Sequence, residues 1–513
     1  MRRLAFILSF LCVALRTLGA GKAEHVVVVV WDGMRPDFIN ETNTPTLNQL
    51  ARDGVLFQNH HAVYLSSTEV NGTAIATGDF PNHSGIFANR EYLPAIDPLK
   101  KTEMESLAAV RKGDAVSHNH FILVPTIAEI LQRAGKRTCI AGTKPVALLQ
   151  DRLEQHRPCG DCIDLFERKT VPPGAVETLN LPAFAPHDIP NTRQDEATTQ
   201  ALIGSMWDKE VPPFSLLWLS EPDSAQHGTG LGSGSSLKGM KGSDDNLGRV
   251  LKELEARLVR DKTDVFVVSD HGFSTVVRTV DVGKLLRAAG FNVTNEFAKP
   301  PKDGNTMIVS LGGSTLLYVI GHDAHIVQSL VTFLQRQDFA GVLFTREPMP
   351  GTFTMDQAHI NTAGGPDIVV SMRWLPDESP TGAPGVLIVD DQSRSYGRGS
   401  HSSLSRYDMH NTLVAAGPDF QKGLVDRLPS GNVDLAPTIL SLLGVPPLQP
   451  MDGRVLSEAL VGQDFTYSPA RVTVLEATNV VGDVIWHEYL KVEQFDGAHV
   501  YFDEGNGSQE PKK

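Results

Sequence analysis

The sequence predicts an α/β fold built on one mostly parallel sheet, and three observations support this. Three short apolar runs, at 25–31 (HVVVVVW), 214–219 (FSLLWL) and 264–269 (DVFVVS), lack the alternation of a half-exposed strand. They match strands buried on both faces. Segments with helical apolar spacing separate them, so from residue 24 to about 274 the chain alternates β and α as a doubly wound sheet does. Each run also leads into an aspartate: Asp32, Asp223 after the short 220–222 link, and Asp270. Open α/β sheets bind ligands outside the carboxyl ends of their strands. Three carboxylates delivered to one sheet edge therefore predict a converging site.

The other segments follow in order. Arg2-Arg3, the apolar run 4–15 and the small residues around Gly19-Ala20-Gly21 have the layout of a secretory signal over 1–23. The run is too short to span a bilayer comfortably, and no later stretch approaches membrane length. The mature chain is expected to be exported, periplasmic or secreted, without a membrane span. Cys12 would leave with the signal. Cys159-Gly-Asp-Cys162 favours a local disulfide in an exported protein, and a bridge from Cys139 to either partner stays open. The 125–135 segment reads as a helix ending on Gly135. The Gly/Ser-rich stretch 228–242 reads as a flexible loop beside His227, with a helix resuming at Asp244. His118-Asn-His120 lies in a polar surface loop. Between 275 and 364 the pattern becomes a separate β/α unit, with strands at 314–320 and 341–345 around a helix at 324–335. We expect an inserted α+β cap there. The core would comprise 24–274 and 365–513, resuming with a strand at 366–374, His401 in a loop, a strand at 413–416 and a helix at 437–443.

The candidate chemistry lies in seven residues. Asp32, Asp223 with His227, Asp270 with His271, and His401 supply carboxylates and imidazoles, donors suited to Zn²⁺. Six such ligands and the Thr68 hydroxyl suffice for two adjacent ions. Two metals clamp the attacking and leaving oxygens of an in-line displacement at phosphorus, and a coordinated threonine can act as nucleophile. A net charge of −14 disfavours long nucleic acids. It leaves a small phosphorylated substrate open, because bound metal ions invert the local field. With 513 residues and 41% apolar content, the chain can bury the core of a large enzyme.

Several stretches carry a resemblance to the alkaline phosphatase superfamily, and within it to the type I phosphodiesterase/nucleotide pyrophosphatase family. They are Val-Val-Trp-Asp-Gly-Met-Arg-Pro-Asp37, Thr-Glu-Val-Asn-Gly-Thr-Ala-Ile-Ala-Thr-Gly78, Glu-Pro-Asp-Ser-Ala-Gln-His227, Ser-Asp-His-Gly-Phe273, Gly-Ser-His401 and Asp-Leu-Ala-Pro-Thr-Ile-Leu-Ser-Leu-Leu-Gly444. The resemblance implies an alkaline-phosphatase-like three-layer α/β/α sandwich with an inserted cap. It implies one zinc on Asp223, His227 and His401, and a second on Asp32, Asp270, His271 and Thr68. Asn89 would donate its side-chain amide to a phosphoryl oxygen, and Asn71 would shape a turn. The family's phosphodiesterases usually carry Phe-Pro after the threonine, where this chain has Glu69-Val70. Lys144 falls near the position where related monoesterases and phosphonoacetate hydrolases place a substrate-reading lysine, but their second basic residue is Val146 here. Lys144 reads equally as a solvated lysine after a strand. The resulting expectation is a two-zinc phosphodiesterase or nucleotide pyrophosphatase with a phosphothreonine intermediate. The alternative is a phosphomonoesterase or phosphonate hydrolase using the same groups.

Overall fold

The computed structural model describes residues 21–152, 163–166, 169–179, 181, 186–462 and 469–512. Residues 1–20 of the expected signal segment and the Cys159/Cys162 pair lie outside the described residues. Strand His25–Trp31 is central, parallel to Thr263–Val268 on one side and to Phe214–Leu219 on the other. All three are buried almost end to end, which accounts for their unbroken apolar character. Beyond Phe214–Leu219 the sheet continues through Thr138–Gly142, Ile163–Phe166 and Lys169–Val171. Beyond Thr263–Val268 come the antiparallel strand Leu413–Ala416, then Val55–Phe57 and Leu424–Asp426.

Helices cover both faces. Val26, Val28 and Val30 pack with Ile75, Ile127, Leu148 and Leu435 from helices on one side. Val27, Val29 and Trp31 pack with Leu47, Met240, Leu247 and Val250 on the other. The expected three-layer α/β/α sandwich is present. Cys139 is buried in the Thr138–Gly142 strand, and His118 and His120 are on the surface.

The insert and the C-terminal part differ in detail from the sequence reading. A six-stranded sheet runs Val293–Thr294, Thr306–Ser310, Ser314–Val319, Ile368–Met372, Ala340–Thr345 and Phe353–Thr354, with helix Ala324–Leu334 packed on it. Ile368–Met372, expected to return to the core, instead joins this sheet between Ser314–Val319 and Ala340–Thr345. Its Val369 and Val370 point to opposite faces, and each face of the insert sheet has an apolar layer to receive one.

The stretch 228–242 is also not one loop. Helix Gly234–Ala256 begins within it, its start capped by the Ser233 hydroxyl accepting from the Ser236 N–H. Gly239 and Gly242 sit where a Cβ would collide with Glu221 and Thr192. The glycines permit close helix packing there. A three-stranded antiparallel sheet, Arg471–Val481, Val484–Phe495 and His499–Pro511, completes the chain. Leu490, Val492 and Phe502 from it share a core with Phe344 of the insert and Tyr64 of the segment leading to Thr68.

Candidate active site

Asp32 directly follows the central strand, Asp270 and His271 follow Thr263–Val268, and Asp223 opens helix Asp223–Thr229 with His227 one turn later. His401 follows the short Gly399–Ser400 strand, and Thr68 is the first residue of helix Thr68–Thr77. The sheet brings all of these together. His227 Nε2 is 3.2 Å and His401 Nε2 3.8 Å from Asp223 Oδ1. His271 Nε2 is 3.3 Å from Asp270 Oδ2, 3.7 Å from Asp32 Oδ1 and 3.3 Å from the Thr68 hydroxyl. One ligand atom each from Asp32, Asp270 and His271, and likewise from Asp223, His271 and His401, lies within 4.8 Å of the others.

The donors fit metal ions. Each histidine directs Nδ1 at a backbone carbonyl: His227 at Gly399 (3.0 Å), His271 at Gly272 (2.8 Å) and His401 at Ser66 (2.9 Å). A carbonyl can only accept, so Nδ1 carries the proton and Nε2 presents its lone pair inward. Burial keeps His271 below its ordinary pKa. At His401 burial, then His271 and His227, do so more strongly, and a ring held neutral is one that could ligate a metal ion.

The carboxylates follow the same rule. Asp32 Oδ2 accepts from the Trp218 indole N–H at 2.8 Å. Asp270 Oδ1 accepts from the backbone N–H of Gly33 and His271, both at 3.0 Å. The remaining oxygens, Asp32 Oδ1, Asp223 Oδ1 and Asp270 Oδ2, are buried without a hydrogen-bond donor. An orphaned buried carboxylate oxygen is costly, and three converging ones are what cations would satisfy.

Lys144 is no solvated lysine. Its Nζ lies 2.9 Å from Asp32 Oδ2 and 3.1 Å from Asp223 Oδ2, with the side chain 17% exposed. Burial alone would lower its pKa, but Asp223 and Asp32 outweigh burial and hold it well above the ordinary value. At Asp223, burial is likewise outweighed by Lys144 and His227, and its pKa stays well below the usual range. Asp32 is pushed up by burial and by Asp270, against Lys144.

Asn89 Oδ1 accepts from the Glu69 N–H at 3.0 Å, and its Nδ2, which donates to Glu105 Oε1 at 3.5 Å, has a second N–H at the cleft. Thr68, Asn89, Lys144, Asp223, His227 and His401 all line a cleft of about 250 Å³, with Leu311 from the insert on its wall. Asn71 accepts from the Val63 N–H and donates to the Val63, Leu65 and Ser67 carbonyls, fastening the turn ahead of Thr68.

Sequence reasoning missed two residues. Trp218 looked like ordinary strand core, and only its register opposite Val30 brings its indole to Asp32. Glu69 is buried beside Thr68 with neither carboxyl oxygen hydrogen-bonded, and burial and Glu105 raise its pKa well above the usual range. The unusual Glu after Thr68 was its only signal.

A family model described as "Type I phosphodiesterase / nucleotide pyrophosphatase" matches residues 26–381. Ectonucleotide pyrophosphatase/phosphodiesterase family member 3 of Mus musculus is 22% identical over 255 residues, 48% of this chain and 24% of that protein. Bis(5'-adenosyl)-triphosphatase enpp4 of Mus musculus is 22% identical over 279 residues, 53% of this chain and 52% of that protein. The chain thus spans about half or less of these two relatives' lengths. A solved structure of murine ectonucleotide pyrophosphatase / phosphodiesterase 5, an inactive variant in complex with AMP, superimposes with TM-score 0.60 at 19% identity, covering 85% of this chain and 99% of that one.

Proposed function

Because this chain belongs to the type I phosphodiesterase/nucleotide pyrophosphatase family, we propose that it is an exported two-zinc hydrolase of small phosphodiesters or nucleotide pyrophosphates. One observation carries the reading. The Thr68 hydroxyl stands beside His271 Nε2, among three inward imidazole nitrogens and three orphaned carboxylate oxygens. Asp223, His227 and His401 would hold one zinc, and Asp32, Asp270, His271 and Thr68 the other. Bound there, the ions would supply positive charge that acidifies oxygen nucleophiles and offsets charge at phosphorus.

The chain's own groups do the rest. Thr68 Oγ1 gives up its proton to solvent and attacks phosphorus in line, the ester bond opposite breaks, and the leaving oxygen takes a proton from solvent. Water then adds to the phosphothreonine, the Thr68 O–P bond breaks, and the hydroxyl is restored. Placement of Thr68 at a helix start aims the helix dipole at the developing charge. The Asn89 amide donates to a non-bridging oxygen, the phosphoryl counterpart of an oxyanion hole. The related bis(5'-adenosyl)-triphosphatase and the AMP complex favour nucleotide-type substrates. Segment 275–364 would act as the cap that reads the leaving group.

Lys144 favours a second reading, a phosphomonoesterase or phosphonate hydrolase, because its ammonium lies in the same cleft. The missing partner, Val146, is buried in the core and offers no charge. A rate panel separates the two: a nitrophenyl diester, a nitrophenyl monoester, a dinucleoside polyphosphate and phosphonoacetate, each with the zinc-loaded protein. The diester and the polyphosphate should be the faster substrates. Turnover of the monoester or phosphonoacetate alone would select the second reading.

A further inference from the structure

A second group of metal-ligand side chains lies outside the cleft, where the C-terminal sheet meets the core. His61 ends the two-residue strand His60–His61, which pairs with Ser430–Gly431. His410 follows helix Arg406–Met409, and Asp503 lies in the last strand, His499–Pro511. One ligand atom from each falls within 4.8 Å of the other two.

The arrangement has the marks of a built site. His61 is 1% exposed, and its Nδ1 is 3.0 Å from the Ser430 carbonyl, so Nδ1 carries the proton. Its Nε2 is buried with no hydrogen-bond partner and points at Asp503 Oδ1, 3.9 Å away. An imidazole lone pair so placed is a ligand in search of an acceptor. Asp503 Oδ1 is shared with His410 Nε2, while Oδ2 pairs with the Lys491 ammonium. Lys491 thus fixes the carboxylate from behind, as outer partners of metal ligands do. Tyr501 stacks on His61 with ring centroids 5.8 Å apart. The His410 side chain is 26% exposed, which gives an ion and a water ligand access from solvent.

We propose that His61, His410 and Asp503 form a structural zinc site that clamps the C-terminal sheet to the catalytic core. Two imidazoles and a carboxylate suit a first-row dication, zinc above all, with water completing a tetrahedron. The ligands come from three separate stretches of chain, already joined by backbone hydrogen bonds from Ala62 to Met409, from Asn411 to His60 and from Gly505 to Leu404, and a bound ion adds a further tie between them that stabilises the fold by linkage. The site stands independently of the proposed hydrolysis, because none of its residues lines the cleft.

Zinc content tests it. In a full-length Asp32→Ala/Asp223→Ala background, which cripples the catalytic cluster, protein loaded with Zn²⁺ and desalted should retain about one zinc per chain at this site. Adding the half-exposed substitution His410→Gln should release that zinc, and adding His61→Gln should do the same. In the otherwise wild-type chain, His410→Gln should lower the zinc count by about one per chain and remove the part of the Tm that zinc restores after chelation. Equal zinc content with and without His410→Gln would overturn the proposal, leaving an ion-paired network of His410, Asp503 and Lys491. Because the readout is bound metal, its failure would leave the hydrolase reading untouched.

Discussion

Gly72 lies inside the Thr68–Thr77 helix, every residue of which is buried. Replacing a mid-helix glycine by alanine normally stabilises by roughly 0.5–1 kcal/mol. Here the sign should reverse. A Cβ on Gly72 would overlap the Val146 Cγ2 methyl and lie 3.2 Å from the Trp218 ring, while the Gly72 carbonyl is held by the Gln150 side chain at 2.7 Å. Neither neighbour can yield freely: Val146 and Trp218 are both fully buried, and Trp218 also holds Asp32. Relief requires the helix to move by about 1 Å, a displacement that can cost up to ~100-fold in rate when it misplaces a nucleophile. Overpacking of this kind costs ~1–3 kcal/mol, more than helix propensity returns.

Gly72→Ala should therefore lower both urea stability and diester kcat, with metal content preserved. Val146→Ala opens the space the new methyl needs. Alone it should cost about 1–3 kcal/mol as a cavity, and combined with Gly72→Ala it should recover rate and stability, with a coupling of ~0.5–3 kcal/mol in the double-mutant cycle. The assays are urea melts by circular dichroism and initial rates on a nitrophenyl diester. A Gly72→Ala protein as fast as wild type and at least as stable would refute the packing argument, as would strict additivity with Val146→Ala.

Three further predictions use the same observations. Lys144→Ala should change diester kcat/KM little, but lower monoester kcat/KM by the ~1.5–3 kcal/mol of a charge-assisted hydrogen bond, tenfold or more; zinc content measured alongside separates lost substrate contact from lost metal. Exhaustive chelation should abolish turnover and added Zn²⁺ should restore it, since three buried carboxylate oxygens otherwise lack a hydrogen-bond donor; undiminished activity in metal-free protein would count against the ligand assignment. Asp264, far from the cleft at the start of its strand, has its pKa raised to about 8 by burial and by Asp419. The folded state then holds a proton that the unfolded state releases near pH 4, so Asp264 costs stability progressively as pH rises from about 4 to 8. Asp264→Asn, which can still accept from the Asp419 N–H, should raise Tm at pH 8 more than at pH 5; an equal shift at both would show that Asp264 does not titrate in that window.

The site was legible in sequence because its parts are tied to strand ends. A short, β-branched run such as HVVVVVW favours a doubly buried strand over a helix, and the residue after such a strand emerges at the sheet's edge. Asp32, Asp223 and Asp270 thus announced a common location before any coordinates. Contacts that depend on register were not legible: Trp218 reaches Asp32 only because Val30 pairs opposite it. The Ile368–Met372 strand was misplaced because an apolar strand suits either sheet equally, and pattern does not say which. The first turns of helix Gly234–Ala256, ahead of the helix expected from Asp244, were hidden by composition, since its glycines serve close approach to Glu221 and Thr192 rather than flexibility. The C-terminal sheet was missed because its outer strand Arg471–Val481 is largely exposed and its last strand is polar, leaving little apolar signal.

The central claim is that Thr68 takes the phosphoryl group. Zinc-loaded protein mixed with a rapidly cleaved diester, quenched in acid within a turnover and digested for mass spectrometry should yield a phosphorylated peptide carrying the modification on Thr68. Thr68→Ala should yield none and should lose several orders of magnitude in kcat, roughly what removal of a covalent nucleophile costs. An unmodified Thr68 together with near-normal turnover by Thr68→Ala would contradict the account.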